Sequence, residues 1–118
     1  MSFRFEKLNI WQDAREFANS IYAATKEFPK EEKFGLVNQL RRAGISVALN
    51  IAEGSDRKSD AEFKRFLRMA ISSCEEVVTG LYIAQDQKFI NKEDFDMLYN
   101  FANKLVARIN ALTKSLKQ

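Results

Sequence analysis

The side chains that usually carry catalysis or bind metals are scarce in this chain. Its 118 residues include no His, which removes the commonest general base and the commonest metal ligand together. The single cysteine, Cys74, lies on a predicted apolar helix face, where a thiol is usually a small buried group. The four glycines are scattered and form no phosphate-binding loop. Carboxylates such as Glu53 with Glu76 are the remaining acid–base candidates, and we predict no enzymatic activity, no cofactor and no metal site.

A periodic set of polar residues is the most informative pattern in the sequence. We call it the polar stripe. Its members recur at spacings of 3, 4, 4 and 3 residues and share one face of a predicted helix: Gln39, Arg42, Ser46, Asn50 and Glu53. A freely solvated helix face favours long charged residues, whereas Ser and Asn have poorer helix propensity. The stripe therefore favours a half-buried, hydrogen-bonded contact over an accidentally periodic solvated face. Its spacing leaves open whether that contact lies within the bundle or between subunits.

Basic residues cluster around the turn that follows this helix. Residues 41–68 include seven basic and four acidic side chains, a net charge of +3. Such a patch is able to contact phosphates in a salt-sensitive, sequence-independent way. The alternative is that the acidic neighbours neutralise it and the face is simply solvated. The candidate nucleic-acid-binding residues are Arg41, Arg57, Lys58, Lys64, Arg65 and Arg68.

Four amphipathic helices must position these residues. Apolar residues recur every three or four positions and predict helices over about residues 9–26, 31–53, 60–86 and 92–116. The predicted seam of the first helix runs through Trp11, Ala14, Ala18 and Ile21. That of the third helix runs through Phe63, Leu67, Ala70, Cys74, Val77, Leu81 and Ala84, and that of the fourth through Phe95, Leu98, Ala102, Leu105, Ile109, Leu112 and Leu116. The predicted helix-end signals are an Asn9–Gln12 capping pair, a left-handed cap at Gly54, a Ser59–Glu62 capping box and an Asn91 cap.

Short connections make each predicted helix antiparallel to the one before it. Seams with a 3.5-residue period pack at the shallow angle of helix bundles. The predicted fold is therefore all-α, an antiparallel up-down-up-down four-helix bundle in a single domain, residues 1–118. One cysteine, no apolar signal segment and no membrane-length apolar run favour a cytoplasmic protein with no membrane partner.

The stripe and its surroundings resemble the signature of the bacterial four-helix bundle family, also called the 23S ribosomal RNA intervening-sequence protein or S23 family. The similarity rests on Gln39-Leu40-Arg41-Arg42-Ala43, Ser46 and Asn50-Ile51-Ala52-Glu53-Gly54 with Arg57. Further matches are Leu8-x-x-Trp11-Gln12-x-Ala14, Phe28-Pro29-x-Glu31-x-x-x-Gly35-Leu36 and Ala70-x-x-Ser73-x-x-Glu76. Through the last of these, the resemblance adds Ser73 and Glu76 to the polar signature.

The resemblance implies a cyclic homo-oligomer, with a pentamer as the expected form, and a family without established catalysis. It also suggests handling of RNA or DNA, because some members are encoded within ribosomal RNA genes and a similar bundle serves diversity-generating retroelements. We therefore expect a non-enzymatic, ring-forming scaffold that binds nucleic acid through its basic surface. The alternative is a structural scaffold that docks a protein partner and has no role with nucleic acid.

Overall fold

Four long helices account for most of the chain. The computed structural model describes residues 2–117 and, within them, contains no β-strand. The helices are α1 (Asn9–Thr25), α2 (Leu36–Ser55), α3 (Asp60–Asp86) and α4 (Lys92–Ser115), with short 3-10 helices at Arg4–Lys7 and Lys30–Glu32. Each helix packs on the preceding one, and α4 also packs on α1. This arrangement confirms the predicted antiparallel four-helix bundle, which measures 44 × 24 × 20 Å.

The core follows the predicted seams closely in α3 and less closely in α1. Every predicted core position of α3, from Phe63 to Ala84, is buried. In α1, Ile10 and Phe17 are buried together with Ala14, whereas Trp11 and Ala18 are only half-buried. The seam is displaced towards Ile10 and Phe17. Trp11 at its edge packs both against the core and on Phe5 of the N-terminal 3-10 helix, with ring centroids 4.7 Å apart. Within residues 2–117, none of the helices combines the length and the hydrophobicity that a membrane span requires.

The start of α2 differs from the prediction. The sequence pattern placed it near Glu31, but residues 30–32 form a separate 3-10 turn and the α-helix begins at Leu36. Gly35 interrupts helical geometry with φ −111° and ψ −112°. The Glu32 carboxylate then accepts a hydrogen bond from the Leu36 N–H at 3.1 Å, so it satisfies one of the free N–H groups at the new helix start.

The predicted helix ends are partly right. Ser59 Oγ accepts from the Glu62 N–H at 3.1 Å, and Asn91 Oδ1 accepts from the Asp94 N–H at 2.7 Å. Asn9 is not a cap, because Leu8 precedes the helix without a side-chain hydrogen bond. The left-handed cap predicted at Gly54 is wrong, because α2 continues to Ser55 and no glycine among residues 2–117 has a positive φ.

Gly54 instead permits a close contact between α2 and α3. A Cβ atom at this position would lie 2.6 Å from Phe66 Cβ and 3.0 Å from Phe63 Cδ1. Gly80 does the same further along the pair, where a Cβ would lie 2.6 Å from Leu40 Cδ2. These two contacts set the antiparallel register of α2 against α3.

Candidate interaction surface

The centre of the polar stripe joins α2 to α3 within one chain. Asn50 Nδ2 donates to the Ser46 carbonyl oxygen at 2.9 Å and to Ser46 Oγ at 3.0 Å. Ser73 Oγ on α3 donates to the same Ser46 Oγ at 2.9 Å. Ser73 is 5% exposed, while Ser46 and Asn50 are half-buried. The Ser73–Ser46 hydrogen bond therefore links α2 to α3, at a level between the close contacts at Gly54 and Gly80.

The other residues of the polar stripe, and Glu76 of the wider signature, face outward. Gln39, Arg42 and Glu53 on α2 and Glu76 on α3 are all exposed. Four large hydrophobic side chains are exposed on these two helices. Tyr82 packs against Phe95 and Tyr99 of α4, whereas Leu49 (61%), Met69 (42%) and Ile83 (47%) have no such aromatic contact within residues 2–117. Helical spacing puts these apolar and polar residues on one outer surface, which we call the α2–α3 face. Exposed apolar side chains that share one surface make it a candidate for a contact with protein.

The basic cluster is organised around a buried aromatic ring. The guanidinium groups of Arg57 and Arg65 lie 4.8 and 4.6 Å from the centroid of the Phe66 ring, which is 7% exposed. Arg57 also pairs with Glu53 at 2.7 Å, and Arg65 pairs with Glu62 at 3.2 Å. Two of the predicted phosphate-binding arginines thus have cation–π and ionic partners within the chain.

Electrostatics within the cluster favour its charged forms. A hydrogen bond from Arg65, and then the positive charge of the same group, lower the pKa of Glu62. The same interaction raises the pKa of Arg65. Lys58 and Arg68 are exposed nearby, and Lys64 is half-buried on the same helix.

Arg41 lies apart from the other candidate residues. Its Nε donates to Thr25 Oγ1 at 2.9 Å, and its Nη2 donates to the Tyr22 carbonyl oxygen at 3.3 Å. Its guanidinium also stacks over the Tyr22 ring, 4.4 Å from the centroid. Arg41 therefore binds the carboxyl end of α1, where a cation is favourably placed against free carbonyl groups.

The bundle brings further cations beside the α2–α3 turn that the linear pattern did not identify. Arg4 Nη1 donates to the Ser55 carbonyl oxygen at 2.8 Å, and its guanidinium lies 5.5 Å from the Phe63 ring centroid. The Lys117 N–H donates to Asp60 Oδ2 at 3.0 Å, so the end of α4 contacts the start of α3. The signal was available in the up-down topology, since helix 1 begins and helix 4 ends beside this turn.

Charge is distributed unevenly along the bundle. We call residues 2–7, 53–68 and 114–117 the basic end; they include nine basic and five acidic side chains, a net charge of +4. Residues 26–35 and 86–96, at the opposite end, include five basic and seven acidic side chains, a net charge of −2, and we call them the acidic end. The basic residues of the basic end are Arg4, Lys7, Arg57, Lys58, Lys64, Arg65, Arg68, Lys114 and Lys117.

The candidate acid–base carboxylates lie apart from each other, and the thiol is buried. The α2–α3 register places Glu76 about ten residues along α2 from Glu53, a separation of roughly 15 Å along the helix axis. Burial raises the pKa of the Cys74 thiol to about 12, so it stays protonated at neutral pH. Across residues 2–117, no group of three or more His, Cys, Asp or Glu side chains is placed to hold a metal ion.

Comparisons with known proteins agree with this geometry. The family model described as 23S rRNA-intervening sequence protein matches residues 6–111. The fold is similar to the 1.70 Å crystal structure of a protein of unknown function from the S23 ribosomal protein family of Bacteroides thetaiotaomicron VPI-5482, with a TM-score of 0.82. That similarity covers 89% of this chain and 98% of the other at 24% identity. None of the curated proteins matches the chain significantly.

Proposed function

The chain belongs to the 23S rRNA-intervening sequence protein family, and we propose that it is a non-enzymatic homo-oligomeric scaffold that binds RNA or DNA through its basic end. The observation that carries the proposal is the unequal charge along the bundle, +4 at one end against −2 at the other. Phosphate backbones are attracted to a localised positive surface even where the whole chain is only mildly basic.

The α2–α3 face supports the self-association part of the proposal. Leu49 lies at the edge of this surface, beside Phe3 and Phe5. The centre of the surface is formed by Met69 of α3 together with Arg42 and Glu76, which carry opposite charges. A second copy that covered these side chains would remove apolar area from water and pair exposed charges. We expect the closed cyclic form, a pentamer, by extension from the family resemblance.

Nucleic-acid binding is tested by charge reversal at the two ends. Lys58→Glu with Arg68→Glu should weaken binding to a short RNA and lower the slope of log affinity against log salt by about 1 for each phosphate that the variant no longer neutralises. The matched control, Lys26→Glu with Lys30→Glu, makes the same charge change at the acidic end and should have little effect. Equal weakening by the two pairs, or no binding by the wild type, would contradict this part of the proposal.

Self-association is tested by light scattering coupled to size-exclusion chromatography. A pentamer has a mass of about 68 kDa, five times 13.6 kDa. Met69 and Met97 are both 42% exposed, but only Met69 lies on the α2–α3 face. Met69→Glu should therefore dissociate the assembly, whereas Met97→Glu should leave it intact. A 13.6 kDa wild-type monomer would exclude self-association.

The second candidate function is a scaffold for a protein partner, and the exposed apolar residues of the α2–α3 face favour it. On this hypothesis, those residues bind a different protein and the basic end has no ligand. A Met69→Glu variant would then lose a specific co-purifying protein, while wild type and variant would both fail to bind RNA. If the wild type binds RNA in a salt-dependent way and Lys58→Glu abolishes that binding, the first function is favoured over the second.

A further inference from the structure

We propose that the basic end binds single-stranded nucleic acid, with an unpaired base stacked on Phe3 in a cleft between the N-terminal segment and the end of α2. This inference rests on the proposed nucleic-acid binding and names the form of strand that the site takes. The base-stacking position comes from a residue outside the basic cluster and the polar stripe.

The cleft has the size and lining of a site for a flat, largely apolar group. Its volume is about 450 Å³, within the roughly 300–1,000 Å³ range of small-ligand pockets. Phe3 and Phe5 form one wall, and Leu49 and Ala52 of α2 form the other. The polar residues of the lining are Arg4, Glu53, Ser55, Asp56 and Arg57.

The Phe3 side chain is largely exposed and is held by stacking on neighbouring aromatic rings. It is 61% exposed, and its ring stacks on Phe5 with a centroid distance of 5.7 Å and an interplanar angle of 18°. Phe5 in turn packs against Trp11 of α1 at 4.7 Å. The Phe3 N–H donates to the Glu6 carboxylate at 3.0 Å, which holds the backbone in place. One face of the Phe3 ring is therefore available for a base, and such stacking tolerates every base type.

The distribution of charge around the cleft favours a base inside it and phosphates outside it. Within the lining, the two arginines balance Glu53 and Asp56, so the cleft is close to neutral and suits an uncharged base. The excess positive charge lies outside the lining, on residues such as Lys7, Lys58 and Arg68. A strand whose base enters the cleft would thus place its phosphates among these cations. Bases inside a duplex are paired and stacked on each other, so only an unpaired base can reach Phe3.

The acidic end provides an internal contrast. Phe34 is 86% exposed and has the Lys33 ammonium 5.4 Å from its ring centroid, so an aromatic ring beside a cation is present there too. The surrounding net charge of −2 would repel a phosphate backbone. Phe34 is consequently a matched control for Phe3, with the same side chain, high exposure and opposite electrostatic surroundings.

The test measures binding of two probes to four proteins by fluorescence anisotropy. The probes are a labelled mixed-sequence RNA strand of about 12 nucleotides and the same strand annealed to its complement. The proteins are wild type, Phe3→Ala, Phe3→Trp and Phe34→Ala. Removal of one stacking ring weakens binding by roughly 5- to 160-fold. We expect that weakening for Phe3→Ala with the single strand only, and wild-type affinity for Phe34→Ala and Phe3→Trp.

The outcomes distinguish failure of the stacking site from failure of the proposed nucleic-acid binding. If the wild type binds neither probe, the proposed nucleic-acid binding is wrong and the inference falls with it. If the wild type binds but Phe3→Ala matches Phe34→Ala, binding stands and the stacking site is rejected. A Phe3→Trp protein as weak as Phe3→Ala, with unchanged helicity, also rejects it, because a larger aromatic ring should still stack.

Discussion

The two ends of the bundle are built from the same four helices but present different chemistry. At the basic end, the N-terminal segment lies against α2 and α3, and Arg57 and Arg65 cover Phe66. At the acidic end, a loop leaves Phe34 almost fully in solvent. The apolar seams run continuously between the ends, so they do not account for this difference. The residues of the turns and helix ends are not needed for core packing, and they determine what each end can bind.

The ends also differ in how tightly α2 and α3 are held together. The close contact at Gly54 involves the Cβ of Phe66, which cannot move without its backbone. The contact at Gly80 involves the end of the Leu40 side chain, which is buried but can shift without its backbone. The basic end therefore combines a rigid helix contact with the charged surface, whereas the corresponding contact towards the acidic end is adjustable.

The largest expected effect comes from filling the rigid contact. Gly54→Ala should lower the free energy of unfolding by about 1–3 kcal/mol through overpacking, even though Ala gains about 1 kcal/mol in helix propensity. Gly80→Ala should cost less than Gly54→Ala, because only the Leu40 side chain must shift and the gain in helix propensity offsets part of the strain. Urea denaturation of the two variants measures both values. Equal destabilisation would show that the two contacts are equally rigid and would remove this difference between the ends.

A smaller effect is expected from removing one helix cap at each end. Ser59→Ala at the basic end and Asn91→Ala at the acidic end should each cost about 1 kcal/mol, since each side chain satisfies one backbone N–H. Thermal or urea unfolding measures both. A much smaller cost for Ser59→Ala would mean that the start of α3 is loosely held, contrary to the rigid contact inferred beside it.

The sequence predicted the fold well because the seams of α3 and α4 repeat with little interruption. Five positions of α4, from Phe95 to Ile109, are buried as predicted, and Leu112 and Leu116 are half-buried. The prediction was wrong where a helix boundary or a packing face depends on local backbone and side-chain contacts. The start of α2 depends on the Gly35 backbone and the Glu32 cap, and the α1 seam depends on Trp11 meeting an N-terminal 3-10 helix. Neither arrangement has a periodic signal.

The candidate site was predictable only in part. The spacing of the stripe identified Ser46 and Asn50, but their division from the exposed ends of the stripe depends on where α3 packs. The role of Arg41 at the end of α1 required the partner helix as well. Arg4 and Lys117 are far from the basic cluster in sequence and join it only through the bundle topology.

The smallest expected effect concerns the charge pair at the start of α3. Arg65 holds the pKa of Glu62 below its ordinary value of 4.5 in the folded chain, first by a hydrogen bond and then by its charge. A carboxyl whose pKa is lower when folded stabilises the fold above its unfolded pKa, and that stabilisation is lost as the pH falls through the folded pKa. Glu62→Gln should therefore be less stable than the wild type at about pH 7, and the difference should shrink towards about pH 3. Urea midpoints at the two pH values measure this difference. In a chain that already carries Arg65→Gln, adding Glu62→Gln should change the stability at about pH 7 much less, because the partner of the carboxylate is gone. A difference between wild type and Glu62→Gln that is constant with pH would show that the cations of the basic end do not act on this carboxylate.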